Sequence, residues 1–256
     1  MLKNRLFTLF FCLFFLTQSQ FVFSDELVFT PSKDWKRVYL ASYPRSGSHW
    51  CRYQVEEASH IATGAVYCDR EPKHMKKVFP WGGYCCDHGY VGHCRYPNPK
   101  DLVLIKTHFP SQPNHVTQFD RLPSKFTILL VRNPVDSFYS RYLRKPNGPI
   151  QEIVPSERMD EFISTWRKFH DYWNKKKDVL VIRYEDMLEN PSVELRKILV
   201  SLNYEFTDED IDRAVATHPP VGHMFKSIDK FSREDLNRIS KELKPLLNQF
   251  GYRIPK

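Results

Sequence analysis

Residues 37–50 read RVYLASYPRSGSHW. Val38 to Tyr43 is a short β-favouring run that stops at Pro44, and small residues fill the turn at Ser46-Gly47-Ser48. Helical signals follow at once: Trp50, Tyr53, Val55 and Ala58 mark an apolar face through about His60. A strand therefore runs through a tight turn into a helix. Such a turn presents backbone N–H groups at a helix N-terminus, and these donors, with the helix dipole, bind phosphate-like anions. Arg45 adds a charged fork. The pattern G-x-x-x-x-G-K-[ST] is absent, because one Gly is present and no Lys follows it, which disfavours ATP or GTP hydrolysis. The same residues would also suit a turn that only caps a helix, and the neighbouring segments decide between the two.

Further apolar runs follow at Leu102–Ile105, Phe126–Val131 and Val179–Ile182, each the length of a buried strand. Helical patterns lie between and after them: Val135–Arg144, Ser156 to about Lys176, a helix capped by Ser192 and running to about Leu202, Asp208–Ala216, and Arg233 to about Gln249. Strands alternating with helices predict an α/β fold in three layers, a mostly parallel sheet with helices on both faces, like a P-loop nucleotide-binding domain. Such sheets bind ligands beyond the carboxyl ends of their strands. Arg45 follows the first strand, Lys106 and His108 the second, Arg132 ends the third, and Arg183-Tyr184 follow the fourth. Together they make one anion-binding rim. A His can take a proton from an acceptor hydroxyl, and Lys106 beside it can stabilise oxygens of a transferring group. Arg132 and the hydroxyl of Ser140, about two helical turns on, can clamp one phosphate. Asp136 reads as a local cap or ion-pair partner.

Four motifs in order carry a resemblance: Tyr43-Pro44-Arg45-Ser46-Gly47-Ser48-His49-Trp50; Lys106-Thr107-His108; Arg132-Asn133-Pro134-Val135-Asp136, with Ser140 and Tyr142; and Tyr184-Glu185-Asp186-Met187 before Asn190-Pro191. The chain resembles the sulfotransferases that use PAPS (3′-phosphoadenosine 5′-phosphosulfate) over residues 37–203. The resemblance implies that Arg45 binds the 5′-phosphosulfate, that Ser46, Gly47, Ser48 and His49 supply the backbone cradle, and that Trp50 stacks on adenine. It implies Lys106 at the sulfuryl group, His108 as general base, Arg132 and Ser140 at the 3′-phosphate, Tyr184 near the adenine, and structural roles for Glu185 and Asp186. It implies no metal. The cytosolic members' late cofactor-closing loop is missing, with Lys226 in about its place. Ala41-Ser42-Tyr43-Pro44, Trp50-Cys51-Arg52-Tyr53, Thr63-Gly64 and Tyr67-Cys68-Asp69 look most like the secretory-pathway members that accompany WSC domains and are associated with glycan acceptors. The expected reaction moves a sulfuryl group to a hydroxyl or amine, with a glycan or other exported acceptor; an inactive relative that binds PAP, PAPS or a sulfated ligand is the alternative.

Residues 1–24 carry Lys3 and Arg5, an apolar run from Leu6 to Leu16, and small residues before Asp25. This is the pattern of a secretory signal peptide, or of an anchor if uncleaved. Residues 25–256 form the expected transferase domain, secreted, periplasmic or anchored in a lumenal compartment. Cys68, Cys85, Cys86 and Cys94 cluster in a Gly- and Pro-rich insertion, residues 68–96, that reads as a disulfide-stapled loop. A zinc site with His88 and His93 is the rival reading, although its spacing lacks the usual gap between ligands. Cys51 reads as a buried free thiol. The net charge of +8 suits an anionic ligand. It comes without a long Lys/Arg run or a nucleic-acid motif, so nucleic acid is not the expected partner. Segments 68–100 and 144–160 are expected to line the acceptor site.

Overall fold

A computed structural model describes residues 36–61, 63–65, 102–111, 124–143, 156–220 and 227–255. The leader, the four clustered cysteines with the rival zinc site, Lys226 and residues 144–155 lie outside the described residues. Among the described residues, five strands form one parallel sheet: β1 (Lys36–Ser42), β2 (Gly64–Ala65), β3 (Leu102–Thr107), β4 (Thr127–Val131) and β5 (Val179–Arg183), in the order β2-β3-β1-β4-β5. The central strand β1 pairs with β3 on one side and β4 on the other. The chain thus reverses its direction of travel across the sheet at β1, and the crevice at the carboxyl end of that strand is where such sheets hold ligands.

Period-two alternation in the strands feeds two cores. Val38 and Leu40 of β1, with Ile128 and Leu130 of β4, face one layer. That layer contains α1 (Ser48–Ser59), α4 (Tyr184–Glu189), α5 (Pro191–Ser201) and α6 (Asp208–Thr217). Tyr39 and Ala41, with Leu129 and Val131, face the other layer. There lie α2 (Pro134–Phe138), α3 (Ser156–Asn174), α7 (Arg233–Glu242) and α8 (Lys244–Gln249). β4 is buried at every position because helices cover both faces. Cys51 is buried and free, as expected, and burial pushes its thiol up to about 12.

Several element boundaries differ from the sequence reading. β3 runs to Thr107, so Lys106 is a strand residue, paired in register with Leu40 and Ala65. The helix expected over Val135–Arg144 is the short α2 followed by a π-helical turn, Tyr139–Leu143. The cap of α5 is Asn190, with Pro191 and not Ser192 opening the helix. The long terminal helix breaks into α7 and α8 at Leu243, where Pro245 cannot donate to the preceding turn. Asp136 is not a local cap: Asn133 caps α2 by accepting from the Val135 N–H, while Asp136 Oδ1 accepts from the N–H of Ser227.

Candidate active site

The loop between β1 and α1 is shaped by backbone conformations that few residues adopt. Arg45 has φ 71° and Gly47, the N-cap of α1, has φ 91°. Gly47 offers no side-chain cap, so the N–H groups of the first helical turn open into the loop with no intrahelical acceptor. A Cβ on Gly47 would lie 2.5 Å from Cδ2 of Tyr184. The absence of a side chain therefore lets the Tyr184 ring close against the cradle. The Ser46 hydroxyl is fully buried there without a hydrogen-bond partner among the described residues. A buried, unmatched hydroxyl beside helix-terminal N–H groups fits a phosphate or sulfate oxygen.

Arg132, leaving β4, spans the cradle's rim. Its guanidinium lies 4.4 Å over the Tyr184 ring, and its Nη1 donates to the backbone oxygen of Arg45 at 2.7 Å. Its buried Nε has no partner among the described residues. Arg45 Nε in turn donates to the backbone oxygen of Ser140 at 3.1 Å, within the π-helical turn. π-turns recur at functional sites because the extra residue re-aims a carbonyl. Trp50 meets Tyr184 edge-on, 5.8 Å between rings, and its indole N–H donates to the backbone oxygen of His218 at 2.8 Å. Burial raises the Tyr184 phenol, and the Arg132 charge opposes that rise. Tyr184 is neutral at physiological pH and serves as an apolar wall.

Across the loop, β3 delivers Lys106 and His108. Lys106 is 1% exposed, and its Nζ lies 2.9 Å from Nε2 of His49 in the first turn of α1. An ammonium has only protons to give, so Nε2 of His49 is the accepting nitrogen. His108 is 8% exposed, and its Nδ1 lies 2.6 Å from the backbone oxygen of Ser42. A carbonyl only accepts, so Nδ1 carries a proton, and in the neutral form of the ring the lone pair lies on Nε2. The turn after His108 is tied down as well: Ser111 donates to the His108 carbonyl from both its N–H and its hydroxyl, and the Trp173 indole donates to the Phe109 carbonyl.

Apart from Lys226, which lies outside the described residues, the site residues singled out from the sequence lie at this carboxyl edge. Arg45, Ser46, Gly47, Ser48, His49 and Trp50 form the loop and first helical turn; Arg132, Ser140 and Tyr184 close one side; Lys106 and His108 close the other. Sequence reasoning gave Glu185 a structural role but missed the partners it holds. Glu185 is 1% exposed; it accepts from the Asn133 N–H at 2.9 Å and from the Tyr252 hydroxyl at 2.6 Å. The Ser42 and His218 carbonyls that orient His108 and Trp50 are backbone atoms without a sequence signature. Tyr252 lies far along the chain, with only its aromatic character as a signal.

A parallel sheet with an anion cradle at its switch point, an imidazole held by a backbone carbonyl and three converging cations define an α/β protein of the P-loop-like class. Residues 36–218 match the sulfotransferase domain, and the chain belongs to that family. Similar proteins include WSCD family member CG9164 from Drosophila melanogaster, 26% identical over 183 residues covering 66% of this chain and 51% of the relative. Sulfotransferase 6B1 from Mus musculus is 28% identical over 189 residues, 68% of this chain and 57% of the relative. The chain thus spans about half the length of the curated relatives it matches. Among solved structures, mouse sulfotransferase SULT7A1 complexed with PAP superposes with a TM-score of 0.55 at 18% identity, covering 88% of this chain and 90% of that one. Sulfotransferase STF9 from Mycobacterium avium gives 0.52 at 12% identity, with 88% and 79% covered. Both share the fold.

Proposed function

We propose that this protein is a sulfotransferase that moves a sulfuryl group from PAPS to a hydroxyl or amine of an acceptor. The observation that carries the reading is the fixed tautomer of His108, one residue beyond the strand that presents Lys106 to the anion cradle. The donor supplies an activated sulfuryl group and a phosphate leaving group. The chain's own residues do the rest. N–H groups at the start of α1, with the Ser46 hydroxyl and Arg45, hold the 5′-phosphosulfate. Arg132 and the Ser140 hydroxyl take the 3′-phosphate, and Trp50 and Tyr184 flank the adenine. His108 Nε2 removes the acceptor proton; the acceptor oxygen or nitrogen forms its bond to sulfur as the bond from sulfur to the phosphate oxygen breaks, and PAP leaves. Lys106 and Arg45 neutralise charge on the sulfuryl and departing oxygens.

A glycan acceptor and entry into the secretory pathway through the leader are part of the proposal, supported by the Trp50-Cys51-Arg52-Tyr53 resemblance and the pattern of residues 1–24. An intact His108 with Lys106 beside the cradle favours catalysis over a nucleotide-binding relic. The test is transfer of radiolabelled sulfate from PAPS to a panel of acidic and neutral glycans. His108→Ala should lower turnover by roughly 10²–10⁴-fold, the usual worth of a general base, while PAP still binds. Turnover that survives the substitution would remove the base assignment. Arg132→Ala should weaken PAP about ten- to a hundredfold, the loss of one charge-assisted hydrogen bond. An unchanged PAP affinity would remove the 3′-phosphate assignment. No PAP binding by the wild type would sink the whole reading.

A further inference from the structure

The chain folds back on itself after the sheet is complete, and the fold-back makes a second cleft. α7 ends at Glu242, α8 begins at Lys244, and the tail returns through a left-handed turn at Gly251, where the Tyr252 N–H donates to the Leu247 carbonyl. The three pieces wall a cleft of about 460 Å³. α7 contributes Asn237, Ser240 and Lys241, and α8 contributes Lys244, Leu247 and Asn248, each set in the i, i+3, i+4 spacing of one helix face. The tail contributes Arg253, and buried Tyr252 and Leu247 lie at the base.

Each wall thus supplies one cation. All three are exposed, and none has an ion-pair or hydrogen-bond partner among the described residues. Glu242, the acid between Lys241 and Lys244 in the chain, is turned to Arg167 and Arg238 instead. Among the described residues, the lining contains no carboxylate. Three like charges around one concavity repel one another and raise the local concentration of anions. The remaining polar lining, two amides and a hydroxyl, matches a ligand rich in hydroxyl groups. The volume lies within the range of small-molecule sites, which is roughly 300–1,000 Å³, and exceeds what a lone inorganic anion fills.

We propose that this cleft binds a sulfated or carboxylated saccharide unit, at a site separate from the transfer centre. The separation follows from topology. His108 follows β3, whereas Tyr252 bonds Glu185 just beyond β5, three strands away, or about 14 Å at the usual strand spacing. The site does not depend on the transfer reaction, so it stands or falls independently of it.

The test is calorimetric titration of the full chain at low salt, with and without PAP, using a heparin-derived tetrasaccharide and a hyaluronan tetrasaccharide that carries carboxylates alone. The triple variant Lys241→Ala, Lys244→Ala, Arg253→Ala should lose at least tenfold in affinity for the bound saccharide. Its melting temperature and PAP binding should stay within error of the wild type. A control variant with Lys175, Lys176 and Lys177 all changed to Ala removes the same charge from the turn after α3 and should bind as the wild type does. Binding of the heparin fragment alone assigns sulfate as the recognised group; binding of both assigns the shared anionic sugar. No binding of either by the wild type overturns the proposal, as does an unaffected cleft variant or an equal loss in the control.

Discussion

At φ 91°, Gly47 occupies a conformation that costs an L-residue roughly 1–2 kcal/mol, and a Cβ there would meet the Tyr184 ring at 2.5 and 2.6 Å. That ring cannot simply swing aside, because Arg132 covers its face and Trp50 meets it edge-on. Gly47→Ala should therefore lower stability by about 2 kcal/mol or more and weaken PAP binding in the same variant, read by thermal melting and calorimetry. Wild-type PAP affinity in Gly47→Ala would show that Tyr184 does not need to close on the loop. The residue identities of this loop were legible in the sequence, since the strand, the small turn and the helix follow one another within residues 37–50. The tautomer of His108 was not legible. It depends on the Ser42 carbonyl, 66 positions away in the chain.

The elements around the rim hold one another through Glu185 at the start of α4. Its two oxygens receive the N–H of Asn133, the residue after Arg132, and the hydroxyl of Tyr252 from the tail. Burial raises the Glu185 carboxyl, and the two hydrogen bonds work against that rise. Glu185 touches no expected ligand and is a positioning residue for Arg132. Glu185→Ala leaves two buried donors unmatched, at about 1–3 kcal/mol each. With labelled PAPS, its KM for the donor should rise about tenfold or more while kcat at saturation stays within about threefold, and Glu185→Gln, which can still pair with both groups, should restore most of the affinity. A fall in kcat at unchanged KM would refute the positioning role. The sequence pattern located most helices and strands but misjudged their ends. Pro245, inside the span expected to be one helix, instead opens α8 after the turn at Leu243, and the π-helical turn after Phe138 carries the Ser140 carbonyl that Arg45 meets across 95 positions.

In the molecule as a whole, the core under α3 holds a titratable group with no route to water. His170 is fully buried against Trp166 and Tyr43, and burial pushes it down to about 3. Its ordinary value is near 6.5, so between about pH 6.5 and 3 the unfolded chain binds the extra proton. Stability therefore falls as pH drops through that window, by up to about 1.4 kcal/mol per pH unit from this one group. Urea unfolding at pH 7 and pH 5 should show the loss in the wild type and a shallower slope in His170→Asn, whatever the variant's starting stability. Equal slopes would mean that His170 gains a proton-accepting partner in the native state. The sequence by itself determined the layered α/β class, the order of the four motifs and the chemical types at the strand ends, because hydrophobic periodicity and turn chemistry are local properties of the chain. Only the tertiary structure decided which nitrogen of His108 keeps its lone pair, that Lys106 is buried within the sheet, and that Glu185 and Tyr252 brace Arg132. Those facts depend on which backbone carbonyls and side chains packing brings within hydrogen-bonding distance, across separations of 52 to 67 residues that no local pattern encodes.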